Sequence, residues 1–135
     1  MSFQQRSEGN PEPALGDFQR EKYISIESYR RNGQPVRRPV WFVEDNGILY
    51  VRTDDTAGKV KQIKRNPKIR IAICNFKGTP KGDWVDATAE IRTGSEVEEK
   101  FSMLQKKYGL TAKFVGFMNR FSRSKAQEVL IAIHP

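Results

Sequence analysis

Residues 22–29 alternate in character. Tyr23, Ser25, Glu27 and Tyr29 fall on one side and Ile24, Ile26 and Ser28 on the other, the period of a half-buried strand. Asn32-Gly33 follows and reads as a two-residue hairpin turn, with residues 35–44 as the partner strand. Val40, Phe42 and Glu44 alternate with Trp41, Val43 and Asp45 up to Asn46-Gly47. That pair is a second hairpin turn, whose two central positions need positive φ. Residues 48–52 return as the next strand, so the hairpins make an antiparallel meander. Residues 53–58 are small and polar. From Lys59 the apolar period lengthens towards 3.6, which predicts a short basic helix closed by Asn66-Pro67.

Residues 68–76 read as a strand with Ile69, Ile71 and Ile73 inward, and residues 77–83 as a turn-rich connection. In residues 84–92 Val85, Ala87, Ala89 and Ile91 face one way and Trp84, Asp86, Thr88 and Glu90 the other. Ser95 and Glu98 have capping-box spacing, Val97, Phe101, Leu104 and Tyr108 keep helical spacing, and Gly109 suits the helix end. Phe114, Phe117, Met118 and Phe121 form an apolar stripe on a further helix, and residues 128–134 a last strand. Residues 1–12 are polar and carry Gly and Pro, the mark of a flexible terminus; residues 13–135 make one domain, opening on a short helix with Leu15 and Phe18 inward. About six strands joined by hairpins, with helices between them, point to a small antiparallel α+β barrel.

Composition narrows the chemistry. No apolar run approaches a membrane span and the N-terminus is no signal peptide, so a cytoplasmic location is expected. The single cysteine, Cys74, leaves no internal disulfide and reads as a small buried side chain. The one histidine, His134, stands next to the C-terminus, which leaves no catalytic triad and no two-histidine metal site. Ala57-Gly58-Lys59-Val60 is not a Walker loop: Thr53 stands where its first Gly is needed, and Val60 where Ser or Thr is needed. Catalysis is then expected from a bound cofactor, with no metal.

The formal charge of +8 calls for an acidic ligand or partner. Lys59 and Lys61 sit in the first turn of the basic helix, where they oppose its dipole. An arriving anion would offset that, and the helix start offers it unpaired N–H groups.

The stretches RRNGQPV (30–36), PVWF (39–42), LYVRT (49–53), GKVK (58–61), KRNP (64–67) and GDW (82–84), in that order, carry a family likeness. Over about residues 23–133 the chain resembles the split-barrel flavin-type proteins related to pyridoxamine phosphate oxidase. Its nearest likeness is to their PPOX-class branch, which depends on the deazaflavin coenzyme F420. The resemblance implies a six-stranded antiparallel split β-barrel with peripheral helices, forming a homodimer with cofactor in a groove between subunits. It implies that Pro39, Val40 and Trp41 lie along the cofactor ring, that Arg52, Thr53 and Lys59 hold the phosphate, that Ala57 and Gly58 are at the cofactor, and that Lys61 is a second phosphate or tail contact. Ala57 stands where relatives often carry Ser, so one hydroxyl contact, worth on the order of 1 kcal/mol, is missing. Trp84 is either a ring contact or dimer packing. Arg37 and Arg38 are adjacent and point to opposite faces, so at most one of them meets the groove.

The function this implies is an F420-dependent oxidoreductase, transferring hydride between cofactor and a small unsaturated organic substrate. The alternative within the fold is an FMN-binding oxidase or reductase. F420 is favoured over FMN mostly on the family likeness, and its oligoglutamate tail suits Lys59, Lys61, Lys64 and Arg65, although charge alone does not separate the two. A nucleic-acid-binding barrel, supported by basic charge and strand aromatics, is the rival from another class. No side chain stands out as a proton donor.

Overall fold

The computed structural model describes residues 18, 20–109 and 127–135. The expected flexible terminus, the inward Leu15 and the Phe114–Phe121 stripe lie outside these residues. Seven strands and two helices follow in order: β1 (Ile24–Tyr29), β2 (Pro35–Val40), β3 (Val43–Asp45), β4 (Ile48–Asp54), α1 (Gly58–Arg65), β5 (Lys68–Ile73), β6 (Val85–Arg92), α2 (Ser95–Tyr108) and β7 (Glu128–His134). They form one sheet in the order β2-β1-β5-β6-β7-β4-β3, every neighbouring pair antiparallel. The sheet is curled into a split barrel of seven strands where the sequence suggested six. The extra strand comes from a break: residues 35–44 do not form one strand. β2 pairs with β1 at one edge and β3 with β4 at the other, so only Trp41 and Phe42 carry the chain between the two edges. From Val40 to Val43 that link reaches about 11 Å at most. The edges must therefore lie close together, and the sheet has to curl to bring them there.

The two hairpins differ in a way the dipeptide alone does not reveal. Asn46 and Gly47 have φ of 53° and 85°, as a two-residue type I′ turn requires, and Asp45 pairs directly with Ile48. At the other hairpin only Gly33 has positive φ. There Gly33 N–H donates to the Arg30 carbonyl and Arg30 N–H to the Gln34 carbonyl, which gives a three-residue loop with glycine in its left-handed position. The Asn32 carboxamide accepts the Gln34 N–H. That bond favours the longer loop over the expected two-residue turn.

The alternation read from the sequence sorts the side chains into two cores. Ile24, Ile26, Leu49, Val51, Ile71 and Ile133 point into the barrel, joined by Phe18, Phe42 and Ile63. Val43, Tyr50, Leu130 and Ala132 face outward under α2, against its Val97 and Leu104. β7 is buried on both sides, which explains its unbroken apolar run. α1 is only eight residues long and basic, so packing of Val60 and Ile63 holds it, not intrinsic propensity. α2 starts one residue earlier than the expected capping box. Gly94, at φ 87°, is its N-cap, Ser95 is already helical, and no side chain caps the end. The buried Lys100 ammonium bonds Asp45 at 2.7 Å and fastens α2 to the tip of β3. No described helix is long and apolar enough to cross a membrane. Among the described residues no three His, Cys, Asp or Glu side chains gather as metal ligands.

Candidate anion and cofactor site

β4 ends in a tight turn. The Asp54 carboxylate accepts the Thr56 N–H at 2.9 Å, and the Ala57 N–H donates to the Asp54 carbonyl. One oxygen of the Asp54 carboxylate is thus engaged by the turn. Ala57 is the N-cap of α1, in extended conformation and with no side-chain cap, and the first turn holds no acid. Val60 and Lys61 N–H groups reach the Ala57 carbonyl; among the described residues those of Gly58 and Lys59 have no protein acceptor. A side chain at Gly58 would meet nothing within 4 Å, so the backbone there opens on free space.

Lys59 is half-buried and has no carboxylate at ion-pair distance among the described residues. Burial pulls its pKa from 10.5 to about 8, and the positive charge of Arg38 pulls the same way. Two N–H donors and two cations without an acid between them suit a phosphate monoester. Arg38 is the residue that sequence reading left undecided. It lies opposite Ile26 on β2, hence on the barrel-interior side at the rim, and Arg37 points the other way.

The other expected contacts are spread more widely. Thr53 follows Val51 and so projects to the interior side of β4. Arg52 projects to the side under α2, where it is ion-paired with Glu128 and lies over the Phe101 ring at 3.6 Å. Burial lowers its pKa to about 10, still cationic near neutrality. Lys61 is exposed and, two residues beyond Lys59, leaves a different face of the helix. Trp84 lies beneath two guanidinium groups, Arg37 at 4.6 Å and Arg70 at 5.4 Å from its ring. Both arginines bond the Glu27 carboxylate, which also accepts from the Tyr29 hydroxyl. Trp84 therefore belongs to a polar cluster on the outer face of β1, β2 and β5, and among the described residues no contact links it to Lys59.

Pro39 and Val40 end β2, and Pro39 packs against the turn at residues 75–79. There Gly78, at φ 92°, comes so near that a Cβ would meet Pro39 Cδ at 3.3 Å. Phe76 on that turn is the one large apolar side chain exposed among the described residues. Trp41 stacks on Tyr108, ring centroids 4.6 Å apart and planes 10° from parallel. Phe42 leaves the strand ladder. Its N–H donates to the Tyr108 hydroxyl at 3.0 Å, and its carbonyl accepts from Lys107 Nζ at 3.0 Å with the Tyr108 hydroxyl oxygen 2.8 Å away. Burial raises the Tyr108 pKa, so the phenol keeps its proton, and lowers that of Lys107 to about 8 against the charges of Glu21 and Glu44. Tyr108 carried no sequence signal, since an aromatic at helical spacing reads as core.

A groove of about 640 Å3 between Tyr29, Lys68, Arg70, Thr88 and His134 holds none of the expected cofactor contacts. It is an open trough on the outer side of β5 and β6. The chemistry gathers instead around Lys59 and the Trp41 corner.

The pyridoxamine 5'-phosphate oxidase family model matches residues 12–135. Among solved structures the chain is similar to an F420 reductase, with 21% identity, a TM-score of 0.64 and coverage of 93% of this chain and 95% of that one. It is similar to HutZ, the heme storage protein from Vibrio cholerae, with 17% identity, a TM-score of 0.65 and coverage of 92% and 89%. A pyridoxamine 5'-phosphate oxidase-related, FMN binding protein from Nostoc punctiforme matches with 19% identity, a TM-score of 0.56 and coverage of 84% and 70%. At these identities the likeness is one of fold. Comparison with curated protein sequences gave no match.

Proposed function

Since the chain belongs to the pyridoxamine 5'-phosphate oxidase family, we propose that it is an F420-dependent oxidoreductase acting on a small unsaturated organic molecule. The observation that carries this is Lys59, a half-buried cation with no acidic partner among the described residues, beside two open N–H groups and Arg38. That donor set fits the phosphate of a ribityl cofactor. F420 rather than FMN is favoured by the likeness to the F420-dependent branch. The exposed Lys61, Lys64 and Arg65, on a face of α1 different from that of Lys59, offer further positive charge to a long tail of carboxylates. When bound, the deazaflavin supplies hydride chemistry. Lys59 and the α1 N–H groups hold the phosphate, and the backbone at Pro39, Val40 and Trp41 orients the ring. In this reading a second copy of the chain closes the groove.

The test is a fluorescence titration of cofactor-free protein with F420 and, separately, FMN. Micromolar or tighter F420 binding is expected, weakened about tenfold or more in Lys59→Ala, as for loss of a charge-assisted bond. An anion raises the Lys59 pKa, so affinity is expected to fall as pH rises past about 8. Lys59→Arg should hold its affinity through that range. Tighter FMN binding would move the protein to the flavin side of the family. Binding of neither cofactor would sink the oxidoreductase reading and make nucleic acid the next ligand to try.

A further inference from the structure

The stretch proposed to lie along the ring ends at the point where the chain leaves one sheet edge for the other. Val40 still pairs with Ile24 on β1, and Val43 already pairs with Tyr50 on β4. The backbone groups of Phe42 have no strand partner, and leaving them unmet inside the protein would be costly. Tyr108 and Lys107 at the end of α2 meet them. Because Lys107 serves the Phe42 carbonyl, the single Tyr108 proton can go to the Lys22 carbonyl at 2.8 Å, tying the start of β1 to the same point. The Phe42 ring is fully buried, edge-on to Phe18 with centroids 6.3 Å apart, which anchors the corner from inside. Tyr108 stacks on the Trp41 indole from outside. One residue thus fixes both the backbone path and the aromatic plane at the end of the ring strand.

We propose that Tyr108 is a positioning residue for the cofactor ring: through the Phe42 backbone and the Trp41 indole it presets the surface on which the ring lies. This rests on the reading that residues 39–41 line the ring. Presetting lowers the ordering cost of binding, so its loss should weaken a ligand with a ring and spare one without. Isothermal titration of wild type, Tyr108→Phe and Tyr108→Leu with F420, FMN and ribitol 5-phosphate separates the two. Tyr108→Phe keeps the stack and loses the hydrogen bonds. It is expected to bind the preferred cofactor about tenfold more weakly, with Tyr108→Leu weaker still. Ribitol 5-phosphate, which reaches only the Lys59 site, should bind all three proteins within about twofold. Parallel loss of both ligand types would make Tyr108 a general structural residue and overturn the proposal, as would unchanged cofactor binding. A wild type that takes neither cofactor sinks the reading beneath it, and the proposal with it. Should the variants not fold, amide exchange in the wild type decides. Saturating cofactor should slow exchange at Phe42 and ribitol 5-phosphate should not; no change at Phe42 with cofactor overturns the proposal.

Discussion

Glu27 is a carboxylate at 1% exposure, and it keeps its charge because donors surround it. Its pKa falls from 4.5 to about 2, first through the Arg70 hydrogen bonds, with Tyr29 and Arg37 adding to them against the opposing effect of burial. The unfolded chain takes up this proton near pH 4.5 and the folded chain only near 2, so the stabilisation is complete above 4.5 and is lost as pH falls through that window. The shift corresponds to about 3 kcal/mol. Glu27→Gln should cost a similar amount near neutrality, since it strands two arginines over Trp84, and should flatten the acid limb of stability. Urea unfolding of both proteins between about pH 2 and 5 checks this. A wild type losing stability no faster than the variant would count against it. The alternation of β1 put Glu27 on the face opposite Ile24 and Ile26, but not the arginines that meet it, because they come from β2 and β5. Lys59 was legible for the reverse reason: its setting at a helix start is local. Arg38, Tyr108 and the Arg52–Glu128 pair depend on contacts between distant segments, and single-chain periodicity carries no record of those.

At the scale of elements, turn residues and short-range alternation spoke most clearly. The strand faces of β1, β5 and β6 and the position of α1 follow from them. What misled was continuity. Residues 35–44 hold no turn dipeptide, and no turn signal marks the break at Trp41-Phe42, where Tyr108 and Lys107 satisfy backbone groups outside the ladder. The two Asn-Gly pairs teach the same lesson, one making a two-residue turn and the other a three-residue loop. Asn46 takes positive φ and Asn32 does not, so the turns should respond differently to substitution. Asn46→Ala is expected to cost about 1 kcal/mol from left-handed strain, beyond any lost side-chain contact. Asn32→Ala should lose only the bond to Gln34, about 0.5 kcal/mol. Denaturant midpoints rank the two, and an equal or reversed ranking would mean that the β3–β4 hairpin has another turn open to it.

At the scale of the whole molecule, antiparallel neighbours were legible as a small α+β barrel, and the outward core under α2 was not. The family likeness supplied the split-barrel form, and the structure raised the strand number to seven. The joining of β2 and β3 through Trp41-Phe42 has a further consequence for solubility. An open sheet offers unpaired strand edges, on which other chains can template growth. Here both edges belong to consecutive strands, and one peptide link keeps them turned towards each other. Co-expressed fragments 1–41 and 42–135 should therefore associate into larger particles, detectable by light scattering, while fragments divided within the loop at residues 31–33 should stay dispersed. Equal dispersion of both pairs would mean that hydrogen bonding and packing alone hold the edges together. If the difference is seen, two residues of unbroken chain do for this sheet what a final hydrogen-bonded ladder does for a closed barrel: they leave nothing for a neighbour to extend.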